Sequence, residues 1–199
     1  MNTSIFFSIA AILIGFVNYY TYLRSIVRGE THPHLFSWLI WFVTGAVASY
    51  AQIAGGAGIG ALPPVISLIY FLVVIALCPR FGYLKHSRFD WICLVFSLLA
   101  VPLWIVSKSP LLSVILVTAI DGIGFLPTIR KTWDLPYSEN LASYCWGGVR
   151  LFVSLLALEN FTAVTALFQA SFLLLIVVFV GVTLLRRRYI SIGRSSKAI

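Results

Sequence analysis

Two ionisable side chains sit deep inside long apolar runs: Asp121 within Leu111–Ile129 and Arg150 within Leu141–Leu158. A charge at the centre of a bilayer costs at least ~2.5–3.5 kcal/mol on insertion scales, so such a residue faces a cavity, a pathway or a partner. Asp121 precedes Ile129 by eight residues and Arg150 follows Leu141 by nine. At about 1.5 Å of rise per residue, both lie about 12–14 Å from the same face, at a depth where they could touch. The chemistry is that of anion recognition. A guanidinium presents a planar fork of donors to a carboxylate, while Asp121 could hold the same ligand or carry a proton. The competing reading is a structural ion pair between two helices.

Other groups surround that polar centre. Trp41 and Trp146 lie deep enough to stack on a ring or sugar, whereas Trp38 reads as an interfacial anchor. Asn18, Tyr19 and Tyr20 are polar at similar depth, and Gln52 and Gln169 are nearer the other end, where each can hydrogen-bond a neighbouring helix. The candidate substrate-binding residues are Asp121, Arg150, Trp41, Trp146, Asn18 and Tyr20. Pro127 lacks an amide hydrogen and should bend the chain just below Asp121, and Gly122 and Gly124 loosen the same stretch. These three form a candidate hinge.

Other chemistries are not expected. His32 and His34 alternate around Pro33, but only Glu30 accompanies them, so no metal site is expected. Glu139 after Ser138 reads as a first-turn helix charge rather than a base. Cys78, Cys93 and Cys145 show neither disulfide nor zinc spacing. The stretch Gly55–Gly60 is glycine-rich, but no strand precedes it, so it reads as a tight hairpin rather than a nucleotide loop. No nucleophile–base set is recognisable, so the chain is not expected to be an enzyme and needs no cofactor.

The elements that must hold these residues are membrane helices. The chain has 199 residues, 60% hydrophobic and only 10% charged, where a soluble domain has about 25% charged. Its mean hydropathy is +0.99. Seven apolar runs read as spans, the fourth of them short: Ile5–Tyr22, Leu35–Ala54, Ala61–Cys78, Trp91–Val106, Leu111–Ile129, Leu141–Leu158 and Phe161–Leu185. Pro102 should kink the fourth. Met1–Ser4 carries no Lys or Arg, so the first run reads as a retained span.

With seven spans, twelve of the fourteen Lys/Arg fall on one face. They are Arg24, Arg28, Arg80, Lys85, Arg88, Arg130, Lys131, Arg186, Arg187, Arg188, Arg194 and Lys197. Lys108 falls on the other face and Arg150 within a span. Basic residues are retained on the cytoplasmic side, which places the N-terminus outside and the C-terminus in the cytoplasm. The net charge of +8 then reads as a face toward anionic lipid, not as a nucleic-acid site.

Sliding the chain on itself by 106 residues sets Arg24 on Arg130, Leu35 on Leu141, Ser37 on Ser143, Trp38 on Tyr144 and Arg80 on Arg186 without a gap. Spans one to three thus repeat as spans five to seven, in the same direction, with span four unpaired. The expected fold is an all-α, 3+1+3 integral membrane protein of two parallel triple-helix bundles. Residues 1–83 form the first bundle, 84–108 the linker span, 109–188 the second bundle and 189–199 a basic tail. Asp121 and Arg150 fall on Gly15 and Thr44, so the polar centre belongs to the second repeat alone.

That arrangement resembles the PQ-loop superfamily, which includes the SWEET sugar transporters. The superfamily signature is Pro-Gln near the cytoplasmic end of the first helix of each triplet, then a short basic loop and a Ser-containing helix start. The second repeat reads Pro127-Thr128-Ile129-Arg130-Lys131, then Ser138-Glu139-Asn140-Leu141-Ala142-Ser143; the first has Thr21-Tyr22 and Ser37. The site Asn residues of the sugar carriers have no match in Ala61–Cys78 or Phe161–Leu185. The resemblance implies a transporter of a small polar or anionic metabolite (sugar, amino acid or carboxylate); Asp121 could couple it to protons, size and compactness point to a bacterial inner membrane, and there is room for a homo-oligomer. A receptor or assembly factor on the same fold, as in the KDEL receptor, and a vitamin carrier of the PnuC type are the alternatives. A retinal protein would need a lysine in the last span, which has none.

Overall fold

The structure is a computed structural model that describes residues 3–83, 85–99, 102 and 110–195. Among the described residues it is all-helical, with seven α-helices and one 3-10 turn. The α-helices are α1 (Thr3–Val27), α2 (Leu35–Ala54), α3 (Leu62–Phe81), α4 (Arg88–Leu98), α5 (Pro110–Asp134), α6 (Leu141–Leu156) and α7 (Ala163–Ser195). Each of the seven apolar runs falls at least in part on one of them, the fourth by its first residues on α4. Among the described residues four segments are long and apolar enough to cross a membrane: α1, α2, Gly58–Phe81 and the Ala163–Tyr189 part of α7. In an apolar medium a helix is the form that satisfies every backbone group within one segment.

Local chemistry sets several ends. Ser87 caps α4 in a reciprocal box with Asp90, and the Asn140 side chain caps α6 by accepting from the Ser143 amide. Pro63 and Pro64 fall in the first turn of α3, where no amide hydrogen is missed. The hairpin before α3 is built on glycine: Gly58 has φ +59°, and a Cβ there would meet the Glu159 carboxylate at 2.2 Å. The last helix does not stop at the Arg186–Arg188 triplet, as expected for a tail from 189 onward, but continues to Ser195. Lys108, Lys197 and, apart from Pro102, the end of span four from residue 100 onward lie outside the described residues.

The packing has a regular pattern. α3 packs on both α1 and α2, and α7 packs on both α5 and α6. Across the molecule α1 packs on α6, and α2 packs on α5. Exchanging α1, α2 and α3 with α5, α6 and α7 leaves these contacts unchanged. α4 lies outside the pattern, on α5 and α2, and so does a contact between α2 and α7. The starts of α2 and α6, Leu35 and Leu141, keep the 106-residue offset, whereas α1 and α5 start 107 apart, at Thr3 and Pro110, and α3 and α7 start 101 apart, at Leu62 and Ala163. The core at the centre is aromatic, with Tyr22, Trp38, Trp41, Phe125, Tyr144 and Phe179 all buried.

Candidate functional site

Two small adjoining chambers lie between the first three and the last three helices. The larger, of about 50 Å³, is walled by Asn18 and Tyr22 of α1, Trp38 of α2, Tyr70 of α3, and Ser143, Tyr144 and Gly147 of α6. The smaller, of about 20 Å³, is walled by Ser49 of α2, Ser67 of α3, Asp121 of α5 and Gln169 of α7. Trp41, Phe71, Arg150 and Phe172 line both. Both are well below the ~300–1,000 Å³ of a typical ligand pocket, so this conformation is closed around a polar centre.

Asp121 and Arg150 are both buried, 2% and 5% exposed. They share the smaller chamber but form no ion pair. The sequence places them at one depth on successive helices, yet α5 packs on α2, α4 and α7 while α6 packs on α1 and α7. Each therefore meets the other's repeat partner. Asp121 Oδ1 accepts a 2.9 Å hydrogen bond from Thr44 Oγ1, and its Oδ2 has no partner. Arg150 passes over Gly15, where a Cβ would lie 3.1 Å from Arg150 Cδ. Its Nη1 donates to Ser67 Oγ at 3.0 Å, and its Nε is buried without an acceptor. Ser67 is fixed in turn, donating to Pro63 O at 2.8 Å and lying 2.8 Å from Tyr19 Oη.

Of the other sequence-derived candidates, Trp41 and Asn18 line the larger chamber, whereas Tyr20 and Trp146 do not. Tyr20 is 64% exposed and Trp146 42%, both on the outer surface. One residue is about 100° of helical rotation, so Gly147, the true repeat partner of Trp41, faces the chamber and Trp146 faces away. On α1 the inward face carries Asn18, Tyr19 and Tyr22. Tyr70 was not singled out in the sequence; its stacking on Tyr19, centroids 4.2 Å apart, makes it part of the wall. Trp38 is not an interfacial anchor: it is 4% exposed and its ring lies 5.2 Å from that of Tyr22.

The hinge residues divide. α5 continues through Pro127 to Asp134. A Cβ on Gly122 would meet nothing within 4 Å, but one on Gly124 would lie 2.8 Å from Ile40 Cγ2 and 3.0 Å from Trp41 Nε1. Gly124 is thus the point where α5 closes on α2. Thr128 is buried and donates to Ser37 Oγ at 2.9 Å across the same contact.

Each end of the chambers is closed by bonds that cross between the first three and the last three helices and their connections. At the basic end the Lys131 ammonium pairs with the Glu139 carboxylate, both fully buried. Tyr22 Oη donates to Glu139 Oε2 at 2.9 Å, Lys131 Nζ to His32 O at 2.6 Å, and the His32 amide to Ser138 O at 3.1 Å. Beside them Arg130 Nη2 donates to Asp90 Oδ2 at 2.6 Å and Arg130 Nε to Asp90 Oδ1 at 3.1 Å. His34 lies 3.5 Å from that carboxylate with neither ring nitrogen hydrogen-bonded. Burial pulls the His34 pKa down to about 4 against the opposing pull of Asp90. At the other end Gln169 Nε2 donates to Gln52 Oε1 and Asn160 Nδ2 to Gly56 O, both at 2.9 Å.

The expectation for Lys131 was a surface charge and for Glu139 a first-turn charge. A basic residue eight positions before an acidic one gave no sign that both would be buried. No cluster of His, Cys, Asp and Glu able to hold a metal occurs among the described residues.

No protein-family model, no curated protein and no solved structure matches this chain.

Proposed function

We propose that this protein is a multi-pass membrane carrier of the SWEET or PQ-loop type, moving a small polar or anionic metabolite. The two triplets, α1–α3 and α5–α7, would be parallel repeats joined by α4, in a bacterial inner membrane with the basic end in the cytoplasm. The observation that carries this reading is the closed polar chamber at the meeting of the triplets, with exchangeable bonds at both ends. Rocking the triplets would open the Lys131–Glu139 end or the Gln52–Gln169 end in turn, with the chamber fixed between them. Asp121, held by Thr44 on one oxygen only, is the group suited to carry a coupled proton.

The test is uptake into proteoliposomes of a panel of sugars, amino acids and carboxylates, with and without a pH gradient. A carrier accumulates or exchanges one class, and Asp121→Asn removes the response to the gradient but keeps exchange. A ligand that binds without flux would turn the reading to a receptor or assembly factor. The smallness of the chambers favours that second reading.

A further inference from the structure

We propose that Arg150 is an anion site, and that the ligand of the chamber is a small monocarboxylate with an apolar body. The inference rests on the chamber being the substrate site and adds the substrate class. The chain has six carboxylates, Glu30, Asp90, Asp121, Asp134, Glu139 and Glu159. All are among the described residues and none forms an ion pair with Arg150. Asp90 is taken by Arg130 and Glu139 by Lys131, while Asp121 bonds Thr44. Arg150 is therefore a buried cation without a counter-ion. A guanidinium stays charged at any ordinary pH, and leaving it unpaired out of water is costly. Of its five N–H groups one makes the hydrogen bond to the neutral Ser67 hydroxyl, and Nε is buried without an acceptor.

The position of Arg150 makes it a site and not a flaw in packing. The side chain lines both chambers. Gly15 leaves it the room to reach there, and Ser67, itself locked by Pro63 and Tyr19, fixes one end of the fork. Ser143 Oγ, buried and without a partner, lines the larger chamber as a second donor. An entering carboxylate would supply the acceptors that these donors lack.

The rest of the wall selects the body of the ligand. Apart from Asn18, Ser143 and Arg150, the larger chamber is lined mainly by aromatic rings, among them Tyr22, Trp38, Trp41, Tyr70, Phe71 and Phe172, whose faces offer few acceptors. A polyhydroxylated ligand would leave hydroxyls unpaired there. A second carboxylate would meet Asp121, the other ionisable group of the smaller chamber, whose Oδ2 is free of partners. One anionic end and an apolar remainder is the chemistry that fits.

The test uses acid and amide pairs of one shape: benzoate with benzamide, and propionate with propionamide. Ligands are titrated against the purified full chain in detergent, following melting temperature and tryptophan fluorescence. Binding to the folded state raises the melting temperature by mass action. The expected result is a rise with an acid and none with its amide, and at least about ten-fold weaker binding of the acid to Arg150→Gln, since a charge-assisted fork is lost. Equal shifts from acid and amide, a shift from glucose alone, or no shift from either acid in wild type overturns the proposal. The acid and amide comparison on wild type decides the matter even if Arg150→Gln fails to fold. Exchange of labelled benzoate across proteoliposomes separates the two readings. Binding without exchange overturns the carrier and leaves the anion site. Exchange undiminished in Arg150→Gln overturns the anion site and leaves the carrier.

Discussion

The basic end and the central chamber are both built on buried charge, and they treat it in opposite ways. At the basic end every buried charge is matched. Lys131 has Glu139 and the His32 carbonyl, Glu139 has Lys131 and Tyr22, and Asp90 has both forks of Arg130. In the chamber neither ionisable group has a charged partner: Arg150 has one serine and Asp121 one threonine. The cost of burying a charge is offset by a partner in one region and left standing in the other. Matched charges act as a clasp. Unmatched charges are kept at a cost in stability, which a ligand can relieve.

The comparison is broken most severely by removing one half of a matched pair. Lys131→Met leaves Glu139 buried and uncompensated and should cost about 3–5 kcal/mol. A fall in melting temperature in detergent reads it, and the double variant Lys131→Met/Glu139→Leu should recover most of the loss. Recovery by the double variant separates a charge effect from lost volume.

A smaller effect at the same end depends on acid. His34 titrates near 4 in the folded chain against about 6.5 unfolded, so the unfolded chain binds the extra proton between those values. Stability is then flat above about pH 6.5 and falls as pH drops toward 4. The loss is about 3 kcal/mol, at 1.36 kcal/mol per unit. The groups facing the ring are Asp90, Arg130, His86 and Lys131. His34→Asn, which installs the cap that Asn140 provides at the same point of the second repeat, should flatten that limb of the melting profile.

The smallest effects sharpen the chamber side. Gly124→Ala drives a methyl into Ile40 and Trp41 and should cost about 1–3 kcal/mol by overpacking. Gly122→Ala meets empty space and should stabilise by about 0.5–1 kcal/mol through helix propensity. A true hinge at both glycines would instead show lost exchange activity in both variants with little change in melting.

Much of the frame was legible in the sequence, because apolar runs and glycine turns are local signals. The starts of α2 at Leu35 and α6 at Leu141 lie 106 residues apart, the offset read in the sequence, and Asp121 and Arg150 stood out as ionisable groups in apolar surroundings. Which residues meet was not legible. α5 packs on α2 and α6 on α1, so Asp121 bonds Thr44 and Arg150 covers Gly15, a pairing fixed by helix packing and not by depth. The rotation of each helix was equally hidden. With no polar stripe on these helices, nothing distinguished Trp146 from Gly147, or Tyr20 from Tyr19 and Tyr22. Lys131 and Glu139 gave no warning either, because a burial made by two connections folding together leaves no mark on the periodicity of either.

The central claim is that Arg150 is buried without a partner while Lys131 is buried with one. The most direct measurement is the melting temperature of Arg150→Met beside Lys131→Met, in the same detergent and without added ligand. Removing an unmatched charge takes away a cost, so Arg150→Met should melt at or above wild type while Lys131→Met melts well below it. A fall in Arg150→Met as deep as that in Lys131→Met would show that Arg150 is a structural tie, and would contradict the account.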